Sequence, residues 1–196
     1  LSDWSSDVCS SDLIDDETQR LSRLVSDAIR MARIEAGTIR LQREQIPPAA
    51  LIESVLRDKQ TVLDERQVAV HISPDLPNLS VDPELVAMAL RQVIDNAVKY
   101  SDTNSGLDIS ARRSDGQVVL TLRDYGRGIP ETELPHIFEK FYRGKQSSGK
   151  ISGAGLGLAI VRAVIDAHGG KIWAESRQGE GSTFHIALPV ANEVNS

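Results

Sequence analysis

The residues able to do chemistry fall in separate clusters along the chain. After Asp82, the residues Gln92, Asn96, Lys99 and Tyr100 recur at steps of four, three and one, which gathers them on one side of a helix. An Asn amide oxygen is a hard ligand suited to Mg²⁺, a Lys ammonium is a point charge for phosphate, and a Tyr ring is a flat surface for a base. The same stripe is also what a solvated helix face looks like. Further on, DYGRGIP (residues 124–130) sets Asp124 at the end of an apolar run, with Gly126 and Gly128 around Arg127. The glycines let backbone approach a ligand closely, and the carboxylate can accept from an exocyclic amine; a tight turn would use the same residues.

Residues 129–154 show little regular pattern, and a loop of that length in a compact domain is typically a lid or a binding loop. It contains PHIFEKFYRG, where Ile137, Phe138 and Phe141 can anchor the loop and Lys140 and Arg143 can meet phosphate oxygens. SGAGLGLAIV (152–161) follows at a helix start, so the backbone N–H groups of Gly153, Gly155 and Gly157 face the positive end of the helix dipole, a ready anion site. Its spacing is not GxGxxG and no strand immediately precedes it, which argues against a dinucleotide fold. GKQSSGKI (144–151) fails as a P-loop because Ile151 stands where a Mg²⁺-binding hydroxyl is needed. GEGSTFHIALP (179–189) then turns into a last strand, with Thr183 available to hydrogen-bond a base; a hairpin turn explains it equally well.

The elements that must hold these residues follow from periodicity. Leu13 to Ala36 carries Ile14, Leu21, Leu24, Val25, Ala28, Met31 and Ala32 at helical spacing, with acids in its first turn and Gly37 after its end, so it predicts one long amphipathic helix. Its stripe reads as an association surface or as packing on its own domain. Short strands are predicted at 38–41, 68–72 and 79–81, a helix opening at Pro47 and Pro48, and a helix beginning at Pro83 behind the cap Asp82. Strands at 107–113 and 117–123 flank a Ser114–Gly116 turn. A helix at 156–168 precedes strands at 171–176 and 182–188. The expected fold is an α/β two-layer sandwich, a mixed sheet with helices on one face, preceded by the long helix.

The chain has 196 residues, with 22 Lys+Arg against 28 Asp+Glu and a formal charge of −6, a balance that excludes a broad nucleic-acid or membrane-surface footprint. One cysteine, Cys9, leaves no disulfide framework and no zinc cluster within the chain. No apolar run reaches the roughly 20 residues that span a bilayer. Residues 1–12 are Ser/Asp-rich and nearly self-repeating, which predicts disorder, and the string looks like translated adapter read-through.

The order NAVKY, DYGRG, IFEKFYRG, GAGLGL, GEGSTF resembles the catalytic, ATP-binding domain of sensor histidine kinases, over residues 38–190 with a tail at 191–196. The helix ending MARIEAG, within residues 13–37, looks like the second helix of that family's dimerisation and phosphotransfer domain. The resemblance implies the histidine-kinase/gyrase-type ATP-binding fold, with ATP and Mg²⁺ as cofactors. By it, Asn96 holds Mg²⁺, Lys99 meets phosphate and Tyr100 borders the adenine pocket. Asp124 accepts from the adenine amine, and Gly126, Gly128 and Ile129 shape the pocket. Phe138 and Phe141 pack the lid, and Lys140 and Arg143 approach the terminal phosphate as the catalytic pair. Gly153, Gly155, Leu156, Gly157 and Leu158 cradle the triphosphate, and Thr183 supports the adenine.

Two departures stand out. Gln92 occupies the place where the family often has a second Asn. None of the four histidines sits in the family's HExRTP-like phosphoacceptor context, so the chain is expected to begin after the acceptor helix. The implied partners are a second copy in a full-length dimer and a response regulator, with no nucleic acid and no direct membrane contact. The implied location is cytoplasmic, with a parent that can be an inner-membrane protein. The competing readings are an ATP hydrolase of the gyrase and chaperone type, which needs a Glu base where Gln92 stands, and a non-catalytic dimerisation module.

Overall fold

The structure, a computed structural model, describes residues 40–144 and 154–191 and, ahead of them, positions 18, 22, 25, 26, 28, 29, 31–34, 36 and 37. The expectations for residues 1–12 and for the tail beyond Ala191 lie outside the described residues. In chain order the elements are β1 (Glu44–Ile46), α1 (Pro48–Asp58), α2 (Gln60–Leu63), β2 (Val68–Ile72), β3 (Leu79–Val81), α3 (Pro83–Tyr100), β4 (Leu107–Ser114) and β5 (Gln117–Asp124). A short 3-10 turn (Leu134–His136), α4 (Gly157–Ala167), β6 (Lys171–Arg177) and β7 (Gly181–Pro189) complete them. Among the described residues no helix is long and apolar enough to cross a membrane.

A five-stranded sheet runs in the order β2-β4-β5-β7-β6, with β2 parallel to β4 and the other pairs antiparallel. The alternation in β5 and β7 turns Leu120, Leu122, Ile186 and Leu188 to one face, where the apolar stripe of α3 (Val86, Leu90, Val93, Ile94) meets them together with Leu51 and Val55 of α1 and Ile160 and Val164 of α4. Burying each Val, Leu or Ile contributes about 1.5–3 kcal/mol, so this one layer of helices on one sheet face holds the domain. On the opposite face Trp173 stacks on His185 at 4.9 Å between ring centroids, and Thr121 Oγ1 lies 3.0 Å from His185 Nδ1.

The first strand differs from its sequence expectation. Residues 38 and 39 are not described, Arg40 and Leu41 are not in a strand, and β1 lies at Glu44–Ile46, paired antiparallel with β3 from Glu44 opposite Val81 to Ile46 opposite Leu79. A three-residue strand is placed by its partner, and β3 is that partner. The residues just before it are held by a buried polar node. Asp82 Oδ1 accepts from Leu85 N at 3.2 Å as the N-cap of α3, and its Oδ2 accepts from Gln42 N at 3.0 Å. His168, 1% exposed at the end of α4, has Nδ1 2.7 Å from Val164 O, so that nitrogen carries the proton, and Nε2 accepts from Asp82 N at 3.0 Å. Arg43 donates to Ser80 O and to His168 O.

Ahead of that node, the described positions between 18 and 34 are helical, and Gly37 N closes on Ile34 O. Met31 is buried in the core and Ile34 packs against it, whereas Val25 and Ile29 are exposed. The stripe therefore packs on its own domain at Met31 and leaves apolar surface further back.

Candidate nucleotide site

Asp124 is the last residue of β5, on the helix-facing side of the sheet, and is 6% exposed. Its Oδ1 accepts from Gly126 N at 2.9 Å and from Ser182 N at 3.2 Å. Burial pushes this carboxyl above the ordinary carboxylate value, and the two backbone donors work against that shift. With Oδ1 committed to the backbone, Oδ2 is the oxygen left to accept from a ligand amine.

The chain around this carboxylate has no room for side chains. A Cβ on Gly126 would sit 2.4 Å from Tyr100 O, and one on Gly128, whose φ is +68°, would sit 2.1 Å from Arg177 O. Only glycine satisfies both the dihedral and the space at Gly128. Ile129 N donates to Ser176 Oγ at 2.8 Å, and that hydroxyl lies 2.7 Å from Gly181 O and 3.0 Å from Ser182 Oγ. One serine on β6 thus ties the start of the lid to the start of β7.

These elements enclose a cavity lined by Asn96 and Tyr100 from α3, Asp124, Arg127, Gly128, Ile129 and Pro130 from the end of β5, Glu133, Ile137, Tyr142, Arg143 and Gly144 from the lid, Leu158 from α4, and Ser182 and Phe184 from β7. The expected site residues Asn96, Tyr100, Asp124, Gly128, Ile129, Arg143 and Leu158 are therefore brought together from four parts of the chain. A wider groove of about 860 Å³ lies elsewhere, against Ile29, Arg33 and the start of α3, and among the described residues lining it no polar one is buried.

Other expected residues stand differently. Lys99 is exposed, with Nζ 5.3 Å from the Tyr100 ring centroid, and Lys140 is exposed outside the cavity lining. The side chain of Leu156 is 5% exposed and belongs to the core rather than to a ligand. Gly157 opens α4, and a Cβ there would meet Gln92 Nε2 at 2.4 Å, so Gln92 fills the gap where α3 and α4 approach. Gly155, at φ +72°, accepts from Phe141 N at 2.9 Å and joins the glycine-rich segment to the lid. Gly153 lies outside the described residues.

Two expectations are corrected. Thr183 does not line the cavity: Ser182 and Phe184 do, and the pleat of β7 turns Thr183 to the other face, opposite Arg123. Phe141 is 69% exposed at φ +60° and packs on nothing in the core, so the lid is anchored by Ile137 and Phe138.

Residues missed from sequence include Arg127, Glu133, Tyr142, Ser182 and Phe184 of the lining, and Ser176 and Gly181 behind it. Phe184, Ile186 and Leu188 share the parity of Ser182, so its inward placement was readable from the alternation of that strand. Ser176 and Gly181 act through cross-strand neighbours and had no local signal.

A buried carboxylate lining one cavity with Asn96 and Tyr100 of a helix and with Leu158 of a glycine-rich helix start is the arrangement of an ATP-binding α/β domain. The chain belongs to the family of histidine kinase-, DNA gyrase B- and HSP90-like ATPases, which matches residues 81–192. It is 29% identical over 181 residues to the sensor histidine kinase WalK of Bacillus subtilis, covering 90% of this chain and 30% of that protein. It is 35% identical over 178 residues to the signal transduction histidine-protein kinase AfsQ2 of Streptomyces coelicolor, covering 90% and 32%. The crystal structure of full-length ShkA in complex with AMPPNP matches with a TM-score of 0.82 at 27% identity, over 97% of this chain and 40% of that one. The chain spans about a third of the length of these two curated relatives. The matched region is the ATP-binding catalytic domain of sensor histidine kinases.

Proposed function

We propose that this chain binds ATP in the Asp124 cavity and serves as the catalytic portion of a two-component sensor histidine kinase, transferring the terminal phosphoryl group to a histidine carried elsewhere. The observation that carries the reading is the convergence of Asp124, Asn96, Tyr100 and Arg143 on one cavity. Asp124 Oδ2 takes the adenine amine, the Tyr100 ring borders the base, and Ser182 and Ser176 hold the strand ends that fix the carboxylate. Arg143 and Lys140 from the lid, with Lys99 beside Tyr100 on α3, neutralise phosphate charge; Gly155 and Gly157 present backbone N–H groups at the start of α4. Phosphoryl transfer of this kind is accelerated by positioning and charge neutralisation.

Among the described residues no group of three or more His, Cys, Asp or Glu could hold a metal. The amide of Asn96 in the cavity wall fits Mg²⁺ held jointly by one protein oxygen and phosphate oxygens. When bound, that ion supplies charge stabilisation on the transferring group.

The phosphoacceptor lies outside this chain's own histidines. His168 has both ring nitrogens engaged, and His185 is stacked on Trp173; His71 sits in β2 and His136 in the 3-10 turn. The resemblance supports a cytoplasmic setting, a dimeric parent and a response regulator as downstream acceptor. Calorimetric titration with AMPPNP, with and without Mg²⁺, tests the reading: saturable binding strengthened by Mg²⁺ is expected, and its absence rejects the proposal.

A further inference from the structure

Arg127 stands between the two pocket glycines, and no role follows for it from the reading above. Its backbone is clamped at both ends: Arg127 N donates to Tyr100 O at 3.2 Å, and Arg127 O accepts from Gly179 N at 2.7 Å. The next residue, Gly128, is pinned against Arg177 O. The side chain leaves this fixed root and lies over the Tyr100 ring, with its guanidinium carbon 4.7 Å from the ring centroid, and it lines the same cavity as Asp124 and Arg143. Stacking engages the face of a guanidinium, so donation from its edge is compatible with the stack.

We infer that Arg127 is a nucleotide-specificity residue, which binds a phosphate of the nucleotide and makes the pocket select phosphorylated adenosine over the free nucleoside. This inference rests on the nucleotide reading of the cavity. The buried carboxylate of Asp124 at the strand end is the acceptor for an amine, while Arg127 from the glycine turn and Arg143 from the lid reach the same cavity, which the lid's Glu133 also lines. Adenosine carries the amine without an anion, and its neutral ribose gives a guanidinium no charge to meet. A phosphate does, with charge-assisted bonds about twice as strong as neutral ones. The stack on Tyr100 preorganises the side chain, so little rotamer entropy is lost when the anion arrives.

The test is calorimetric titration of the wild type, Arg127→Gln and Arg127→Lys with adenosine, AMP and AMPPNP, with thermal melts confirming that each protein is folded. For R127Q, affinity for AMP and AMPPNP is expected to fall about tenfold, while adenosine affinity is unchanged. R127K is expected to recover most of the loss, because the charge returns. An equal loss for adenosine would make the residue a wall of the base pocket only and overturn the inference, as would unchanged AMP and AMPPNP affinity, or R127K losing as much as R127Q. If R127Q does not fold, R127K decides on the same comparison. A wild type that binds none of the three ligands would instead remove the nucleotide reading itself.

Discussion

Asp124→Asn isolates the carboxylate's role in the pocket better than removal of the side chain. In the folded protein Oδ1 accepts from two backbone N–H groups, and Asp124→Ala would orphan both, at about 1–3 kcal/mol for each unsatisfied buried donor. Loss of binding in that variant would then be confounded with loss of structure. Asparagine keeps Oδ1 facing Gly126 N and Ser182 N and puts an NH₂ where Oδ2 was. Stability should move by no more than about 1 kcal/mol, while a bond to a charged acceptor worth about 1.5–3 kcal/mol is replaced by two donors facing each other. The expected loss in AMPPNP affinity is at least ten- to a hundredfold, at about 1.4 kcal/mol per decade. Guanine presents a carbonyl where adenine presents the amine, so the same substitution should raise the affinity for a guanine analogue relative to AMPPNP. Calorimetric titrations with both analogues and urea unfolding of both proteins measure these quantities. A D124N protein that binds AMPPNP as the wild type does, with an unchanged adenine-to-guanine ratio, would refute the assignment of Oδ2 as the base contact.

Gly128→Ala and Gly116→Ala both place a side chain at positive φ, but a Cβ at Gly116 meets nothing within 4 Å while one at Gly128 meets Arg177 O at 2.1 Å. Urea unfolding should show a cost of about 1–2 kcal/mol for G116A and about 3 kcal/mol or more for G128A; equal costs would contradict the packing described. Arg66 donates to Val98 O, Ser101 Oγ, Ser101 O and Ser105 O, closing the C-terminal end of α3 below Tyr100. Arg66→Ala should therefore lower stability by about 1–3 kcal/mol, and an unchanged urea midpoint would show that these bonds are replaced by water. Burial holds the His168 imidazole below its ordinary pKa, so both folded and unfolded forms are neutral above about 6.5 and the full stability is present there. Below that value the unfolded chain takes up the proton first, and stability falls by up to about 1.4 kcal/mol per pH unit until the folded pKa is reached. His185, also lowered by burial, adds to the same trend. Unfolding free energies at pH 7.5 and 5.5 should differ more for the wild type than for His168→Asn; equal differences would place the proton elsewhere.

The periodicity of the sequence was enough for β2, β3 and α3, because Asp82 and Pro83 write the start of the helix locally and its stripe repeats without interruption. Part of the cavity's lining was legible in the sequence: a carboxylate ending a strand before two glycines, and an Asn and a Tyr four residues apart on one helix. The alternation of the last strand marks which residues face inward, but which residue lies across the sheet from each is not in the linear pattern. Thr183 and Ser182 are adjacent hydroxyl residues, and the antiparallel register of β5 with β7 sets Ser182 against Asp124 and Thr183 against Arg123. Phe141 is an aromatic residue in a lid, and its positive φ, with Gly155 closing on its backbone, turns the ring outward. Position in sequence determines which face of a helix or strand a residue takes, because the chain's own dihedrals repeat. Which face is covered, and by what, depends on contacts between residues far apart in the chain, and only the assembled sheet and helices decide it.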